Sequence, residues 1–300
     1  MSTVAVAPPK PSVKRFSGER GGDRLFRRIL TAFAGLILIG ALAMAWMLTR
    51  GSWKTWAAFG PSFFWTSTWD PVNDKFGALP FLYGTLVSSF IALLFAVPLG
   101  VGTAVFLVEL APRRLADFIG FAVELLAAVP SVIIGLIGLF ALAPVMRALG
   151  ARYGVSLFTA GLLLSFMVLP YITAVAREVL LTVPRSLKEA LYALGATRWE
   201  VVRGVSLPFA RSGILGAVFL ALGRALGETM AVTMVIGNTP KIAGLFSPSY
   251  SMAAVIANEL AEAASDAHLS ALVAVGLVLF GVTVVINGAA RLMIYRLEKP

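Results

Sequence analysis

Two charges, Arg224 and Glu228, stand in the middle of an otherwise apolar run from Ser212 to Ile236. If that run is one helix, the i, i+4 spacing puts both on a single face. At about 1.5 Å per residue, Arg224 then lies roughly 18 Å from Ser212, near the midplane of a bilayer. Even a lenient scale charges about 2.5 to 3.5 kcal/mol for an arginine at that depth, so it should face a polar cavity and have a partner. The planar guanidinium suits the oxygens of a passing oxyanion, and Glu228 is the expected counter-charge between passages. The plainer alternative is an internal ion pair that fixes helix register. Thr229, Thr233, Ser131 and Thr85 offer hydroxyls that could hold the same anion, although hydroxyls in apolar helices commonly bond to nearby backbone instead. Glu124 is a second candidate partner for Arg224, and Gly223, Gly227 and Ala231 form a small-residue ridge for a neighbouring helix.

Other chemistries find little support. The sequence has no cysteine and one histidine, His268, which reads as a surface residue at the start of the last apolar run, so thiolate and His-rich metal sites are excluded. No G-x-x-x-x-G-K-[ST] sequence occurs, and no activated nucleophile or carboxylate pair with catalytic spacing is visible. The chain therefore reads as a non-enzyme that binds no cofactor itself; ATP and Mg, if used, belong to a partner.

The elements that must position these residues are membrane helices. With 59% hydrophobic and 13% charged residues and a mean hydropathy of +0.88, hydrocarbon is the solvent that the composition suits. The expected architecture is all-α with six transmembrane helices: Ile29 to Leu48, Leu79 to Val108, Phe118 to Val145, Leu157 to Ala176, Ser212 to Ile236 and Leu269 to Ala290. Pro98 in the second run and Pro130 and Pro144 in the third predict kinks, tolerated where neighbouring helices or water satisfy the freed backbone groups, and the fourth run contains Pro170.

Residues 1–28 read as a disordered cytoplasmic leader, 29–49 as the first helix and 50–78 as an aromatic-rich outer loop lying along the membrane surface. Residues 79–300 then form the transmembrane domain proper, with a polar loop at 178–211. The net charge of +10 is distributed between apolar runs, so it reports topology and not nucleic acid. Placing both termini inside puts most of the 25 basic residues there, in the leader, the turn with Arg113 and Arg114, the loop from Arg177 to Arg211, and the tail. Outside fall Asn238, Thr239 and Lys241, and a segment from Ser251 to Ala264 with helical character that could dip back toward the membrane and contact a partner.

The polar loop carries a second pattern: Glu189-Ala190-Leu191, then Gly195-Ala196, then Val205-Ser206-Leu207-Pro208 just ahead of the charged run. A helix–Gly–helix elbow needs a residue tolerant of positive φ at its bend, which Gly195 supplies. This spacing resembles the EAA signature of ABC-importer permeases. The resemblance implies an ABC-importer permease core whose coupling helix, here Glu189, Ala190, Leu191, Gly195, Ala196, Leu207 and Pro208, docks on a cytoplasmic ATPase. Leu191 and Val205 depart mildly from the family pattern.

The string Arg224 to Asn238, with Phe76 to Leu86, Val129 to Gly135 and Ser251 to Glu259, is similar to the permeases of bacterial phosphate importers. That likeness implies inorganic phosphate as substrate, alternating access in the plasma membrane, and assembly with a sister permease PstA, the ATPase PstB and the phosphate-binding protein PstS. The competing expectations are a permease for sulfate or molybdate, since the EAA loop reports only ATPase coupling, and a membrane sensor or scaffold that transports nothing.

Overall fold

The computed structural model describes residues 20–298, and every regular element among them is a helix, apart from one isolated bridge between Asp70 and Lys75. The reading of residues 1–19 as a disordered leader lies outside the described residues. The first helix, α1 (Arg20–Gly51), starts nine residues before the expected Ile29. Residues 20–28 hold no proline, and arginine, leucine and phenylalanine extend the helix at little cost, although Gly21 and Gly22 each oppose it by about 1 kcal/mol. The chain divides into two units between Met47 and Leu48. In the first, the large apolar side chains of α1, Leu36, Ile37 and Leu42 among them, are exposed, as suits a helix whose solvent is lipid.

The second unit begins with α2 (Trp53–Phe59) and a 3₁₀ turn, Gly60–Phe64. Expected along a membrane surface, the aromatics of this loop are in large part folded inward: Phe63 and Phe76 are fully enclosed with Phe81, and Trp69 makes edge contacts with both Phe76 and Phe81. Trp53 and Trp65 alone among its tryptophans remain widely exposed. The physical reason is area: aromatic rings that can stack on one another and on neighbouring helices bury more apolar surface than a flat interfacial strip.

The bundle follows. Helix α3 (Leu79–Val105) continues through an i→i+5 turn, Phe106–Leu110, and packs parallel to α7 along its length. Gly100 meets Ile172, and Gly161 meets Ile91, so glycines supply the close approaches. The third expected span, Phe118 to Val145, is two helices. Helix α4 (Arg113–Ala128) stops at Val129–Pro130, both extended, and α5 (Ser131–Ile137), a wide turn and α6 (Ala143–Ala148) make the span itself. Proline disfavours helix at the residue before it, which ends α4 where it ends. Helix α7 (Leu157–Leu181) carries Pro170 without interruption.

After α7 come α8 (Arg185–Ala193), α9 (Arg198–Val201), a wide turn at Val202–Ser206 and α10 (Leu207–Gly227). The fifth span is thus Arg198–Gly227, ending where the sequence pattern continues. Helix α11 (Met230–Val235) is separate, α12 (Met252–Glu259) packs on α3 and α13, and α13 (Asp266–Glu298) is the sixth apolar helix long enough to cross a membrane.

His268, expected at the surface, is only 6% exposed. Its ring stacks on Phe76, its Nε2 lies 3.1 Å from Glu259, and the same carboxylate oxygen accepts the Trp69 indole N–H at 2.9 Å. A polar edge beside an aromatic face lets histidine close a ring cluster where leucine would leave Glu259 with the Trp69 N–H but one partner fewer. Tyr250, part of the same cluster, accepts from Asn258, and burial pushes its phenol up to about 12.

Candidate functional site

Two interruptions of the helical chain hold the candidate residues. The first is the elbow between α8 and α9. Leu194 closes α8 and Gly195 follows at φ +85°, a conformation open to glycine at no steric cost. The Gly195 N–H donates to the Tyr192 carbonyl at 3.0 Å and the Ala196 N–H to that of Leu191 at 3.1 Å, the paired bonds of a Schellman end. Thr197 and Glu200 then form a capping box that starts α9. Short-range chemistry therefore fixes both arms of the elbow.

Of the named coupling residues, Glu189, Ala190 and Gly195 are exposed, Leu191 and Ala196 are half-buried, Leu207 packs against the cluster around Ala104, Ala176 and Leu180, and Pro208 is exposed in the first turn of α10. The wide turn Val202–Ser206 sits immediately ahead of Pro208, whose missing N–H a regular helix could not accommodate there without loss of a bond. Around the elbow Leu187, Tyr192, Leu194 and Trp199 are exposed apolar side chains, with Leu194 at 86%. A soluble surface rarely presents such a patch without a partner.

The second interruption separates Arg224 from Glu228. Helix α10 ends at Gly227, Glu228 is extended with ψ 124°, and α11 begins at Met230. The expected single face does not form, and no ion pair joins the two charges among the described residues. The Arg224 guanidinium instead lies over the Tyr171 ring of α7, its carbon 4.5 Å from the centroid. An aromatic face attracts the cation without neutralising it or consuming its in-plane N–H donors. The Tyr171 hydroxyl is 3.4 Å from the carbonyl of Ala127, at the end of α4.

Glu228 is half-buried and receives the Ala231 N–H at 3.5 Å, the outer limit of a hydrogen bond. Thr229 and Thr233 donate to the carbonyls of Gly227 and Thr229, so their hydroxyl protons serve local backbone. The small-residue ridge also dissolves: Gly223 faces Asn287 of α13, Gly227 faces open space, and Ala231 packs against Gly135 of α5. Gly138 meets Val235, so α5 and α11 run parallel in a register of about four residues per contact. That register brings Ser131, the first residue of α5, to the same end as Glu228 and Thr229. Both backbone breaks, at Val129–Pro130 and at Glu228–Thr229, therefore open together.

Glu124 falls elsewhere. It lines a small cavity of about 140 Å³ with Gly120, Thr173, Arg177 and Glu178, away from Arg224. Thr85 is buried, donates to Phe81 and accepts the Met252 N–H at 2.8 Å, which ties α12 to α3. Asn238 adopts a positive φ and donates to the Thr233 carbonyl, closing α11. Sequence reasoning missed Tyr171, which in an apolar run looks like any core aromatic, and Glu109, a lone carboxylate that looked like part of a solvated turn.

The model of the family described as "Binding-protein-dependent transport system inner membrane component" matches residues 96–299, which include both interruptions. The phosphate transport system permease protein PstC of Mesorhizobium japonicum is 46% identical over 297 residues, covering 92% of this chain and 91% of that one. PstC of Pasteurella multocida is 45% identical, covering 92% and 93%. Among solved structures, a bacterial alginate ABC transporter complex with pentasaccharide-bound periplasmic protein gives a TM-score of 0.65 at 17% identity, over 94% of this chain and 99% of that one. The MetNI methionine ABC transporter in an inward-facing form gives 0.57 at 21%, over 74% and 95%. Those two likenesses carry the fold: an ABC-importer permease with six apolar helices. By sequence and architecture, this chain is a multi-pass integral membrane protein and belongs to the binding-protein-dependent transport system inner membrane component family.

Proposed function

We propose that the chain is the permease subunit of an ATP-binding-cassette importer that moves inorganic phosphate across the plasma membrane by alternating access. Support for the substrate comes from near-full-length relatives named as phosphate transport permeases, at 46% and 45% identity. In this reading a sister permease PstA completes the path, PstB docks on the α8–α9 elbow and hydrolyses ATP with Mg, and PstS delivers the anion from outside. The chain itself catalyses no reaction. Both termini are cytoplasmic, which puts the arginine-rich elbow on the ATPase side.

The observation that carries the mechanism is Arg224 held by a ring and not by a carboxylate. An arginine already paired with Glu228 would have to be released before it met phosphate. Over Tyr171 it is held in place with its fork of donors available, and a cation–π contact of roughly 0.5–2 kcal/mol orients the fork without competing for an oxyanion. Transport requires release as well as capture, so weak parking and transient pairing are compatible with turnover. Ser131, Glu228 and Thr229, gathered at the two breaks, complete the polar lining, with Thr233 one turn further along α11. Removing the charge-assisted bonds at about 3 kcal/mol predicts that Arg224→Gln lowers phosphate uptake by an assembled complex about 100-fold. Arg224→Lys keeps the charge but loses the fork and is expected to fall between. Normal uptake with both substitutions removes Arg224 from the mechanism.

A further inference from the structure

Glu109 lies in the wide turn that ends α3, outside the EAA pattern and outside the charged break. Its side chain is 8% exposed. One carboxylate oxygen accepts from the Lys188 ammonium at 2.7 Å and from the Ser206 hydroxyl at 2.7 Å. Lys188 belongs to α8, and Ser206 is the fully buried residue that precedes α10. A single carboxylate thus joins the second span, the coupling helix and the base of the fifth span. On one side lies the apolar cluster of Val105, Leu180, Val202 and Ala210, and on the other Glu109 lines an open cavity with Tyr192 and Arg198. In such a place breaking one partner of a charge pair leaves the other uncompensated, so the three elements are held as a unit.

Beyond the tie, α10 runs unbroken from Leu207 to Gly227. At about 1.5 Å per residue, Ser206 is roughly 27 Å of helix from Arg224. The elbow already joins α10 along the backbone, through α9 and the wide turn, and Glu109 adds a second, side-chain link from α8 to the base of that helix.

We propose that Glu109 is a positioning residue for energy coupling: it locks the ATPase-docking helix to the second and fifth spans, so that motion of α8 is converted into motion of α10. The proposal rests on docking of an ATPase at the elbow and not on the identity of the transported anion. It is tested in proteoliposomes holding the assembled permease pair and ATPase, with the binding protein and labelled inorganic phosphate, by measuring uptake and ATP hydrolysis together. Glu109→Gln is expected to leave hydrolysis within about twofold while phosphate moved per ATP falls about tenfold, since a buried pair is broken. If Glu109 and Lys188 act as one unit, Glu109→Gln with Lys188→Met loses no more than Glu109→Gln alone. Ser206→Ala, which removes one neutral donor and no charge, is expected to lower the ratio about threefold. If Glu109→Gln prevents assembly, Ser206→Ala decides alone. An unchanged ratio in the variants that assemble, or losses that multiply in the double variant, overturns the proposal. A wild-type complex that hydrolyses ATP but moves no phosphate would overturn the substrate reading instead, and the effect of the variants on hydrolysis stimulated by the binding protein would then decide this one: equal stimulation in variant and wild type overturns it.

Discussion

The elbow at Gly195 and the break at Glu228 both interrupt a helix, yet they are closed in opposite ways. At the elbow freed backbone groups find partners within a few residues, in the Schellman bonds to Leu191 and Tyr192 and the capping box at Thr197, and a long-range side-chain tie from Glu109 to Lys188 and Ser206 is added to them. At the break the bonds are long, 3.4 Å from the Glu228 N–H to the Ala225 carbonyl and 3.5 Å from the Ala231 N–H to Glu228, and the nearest cation is held only by a ring. In the proposed mechanism the first arrangement passes on a displacement, and the second offers polar groups that an ion engages and then leaves.

Substitutions at each place should separate these properties. The largest effect is expected from Arg224→Gln, which should abolish most uptake while the ATPase still co-purifies in normal amount; loss of both together would mean the break is needed for assembly and not for passage. Next is Gly195→Val. A Cβ there meets open space, so the cost is backbone conformation alone, about 1–2 kcal/mol for a left-handed residue and more for a branched one. ATPase recovered with the complex should fall about tenfold, whereas a wild-type yield would show that the elbow needs no left-handed bend. Smallest is Tyr171→Leu, expected to raise the KM for phosphate about fivefold through loss of the cation–π contact, with Tyr171→Phe near wild type because the ring is kept. Equal effects of the two would move the contribution from the ring to the hydroxyl.

The same contrast explains what could be read from the sequence. The elbow was legible because its determinants are local, a glycine and a proline at fixed spacing from Glu189-Ala190-Leu191, and the Thr197–Glu200 box that the structure adds is local too. The break was not, because the run from Ser212 to Ile236 has unbroken apolar character, and Gly227 alone does not stop a helix. It stops because α11 is drawn against α5, where Gly135 admits Ala231, a contact between residues almost a hundred positions apart. The division of Phe118 to Val145 was half legible, since Pro130 announced a disturbance without saying that α4 would leave the span. His268 and the outer aromatics went astray for a related reason. A lone histidine and scattered rings look interfacial until the fold supplies Glu259 and the face of Phe76. The number of apolar helices followed from composition and periodicity, whereas several of their ends and the partners of each polar group did not.

Import of phosphate by this permease core, past Arg224 and driven from the elbow, is what we propose. It is tested most directly by ATP-dependent accumulation of labelled phosphate, sulfate and molybdate, each offered separately to vesicles containing the full complex and its binding protein. The account predicts accumulation of phosphate that stops without ATP, and little of the other two. Preferential accumulation of sulfate or molybdate, or uptake of phosphate that is indifferent to ATP, would contradict it.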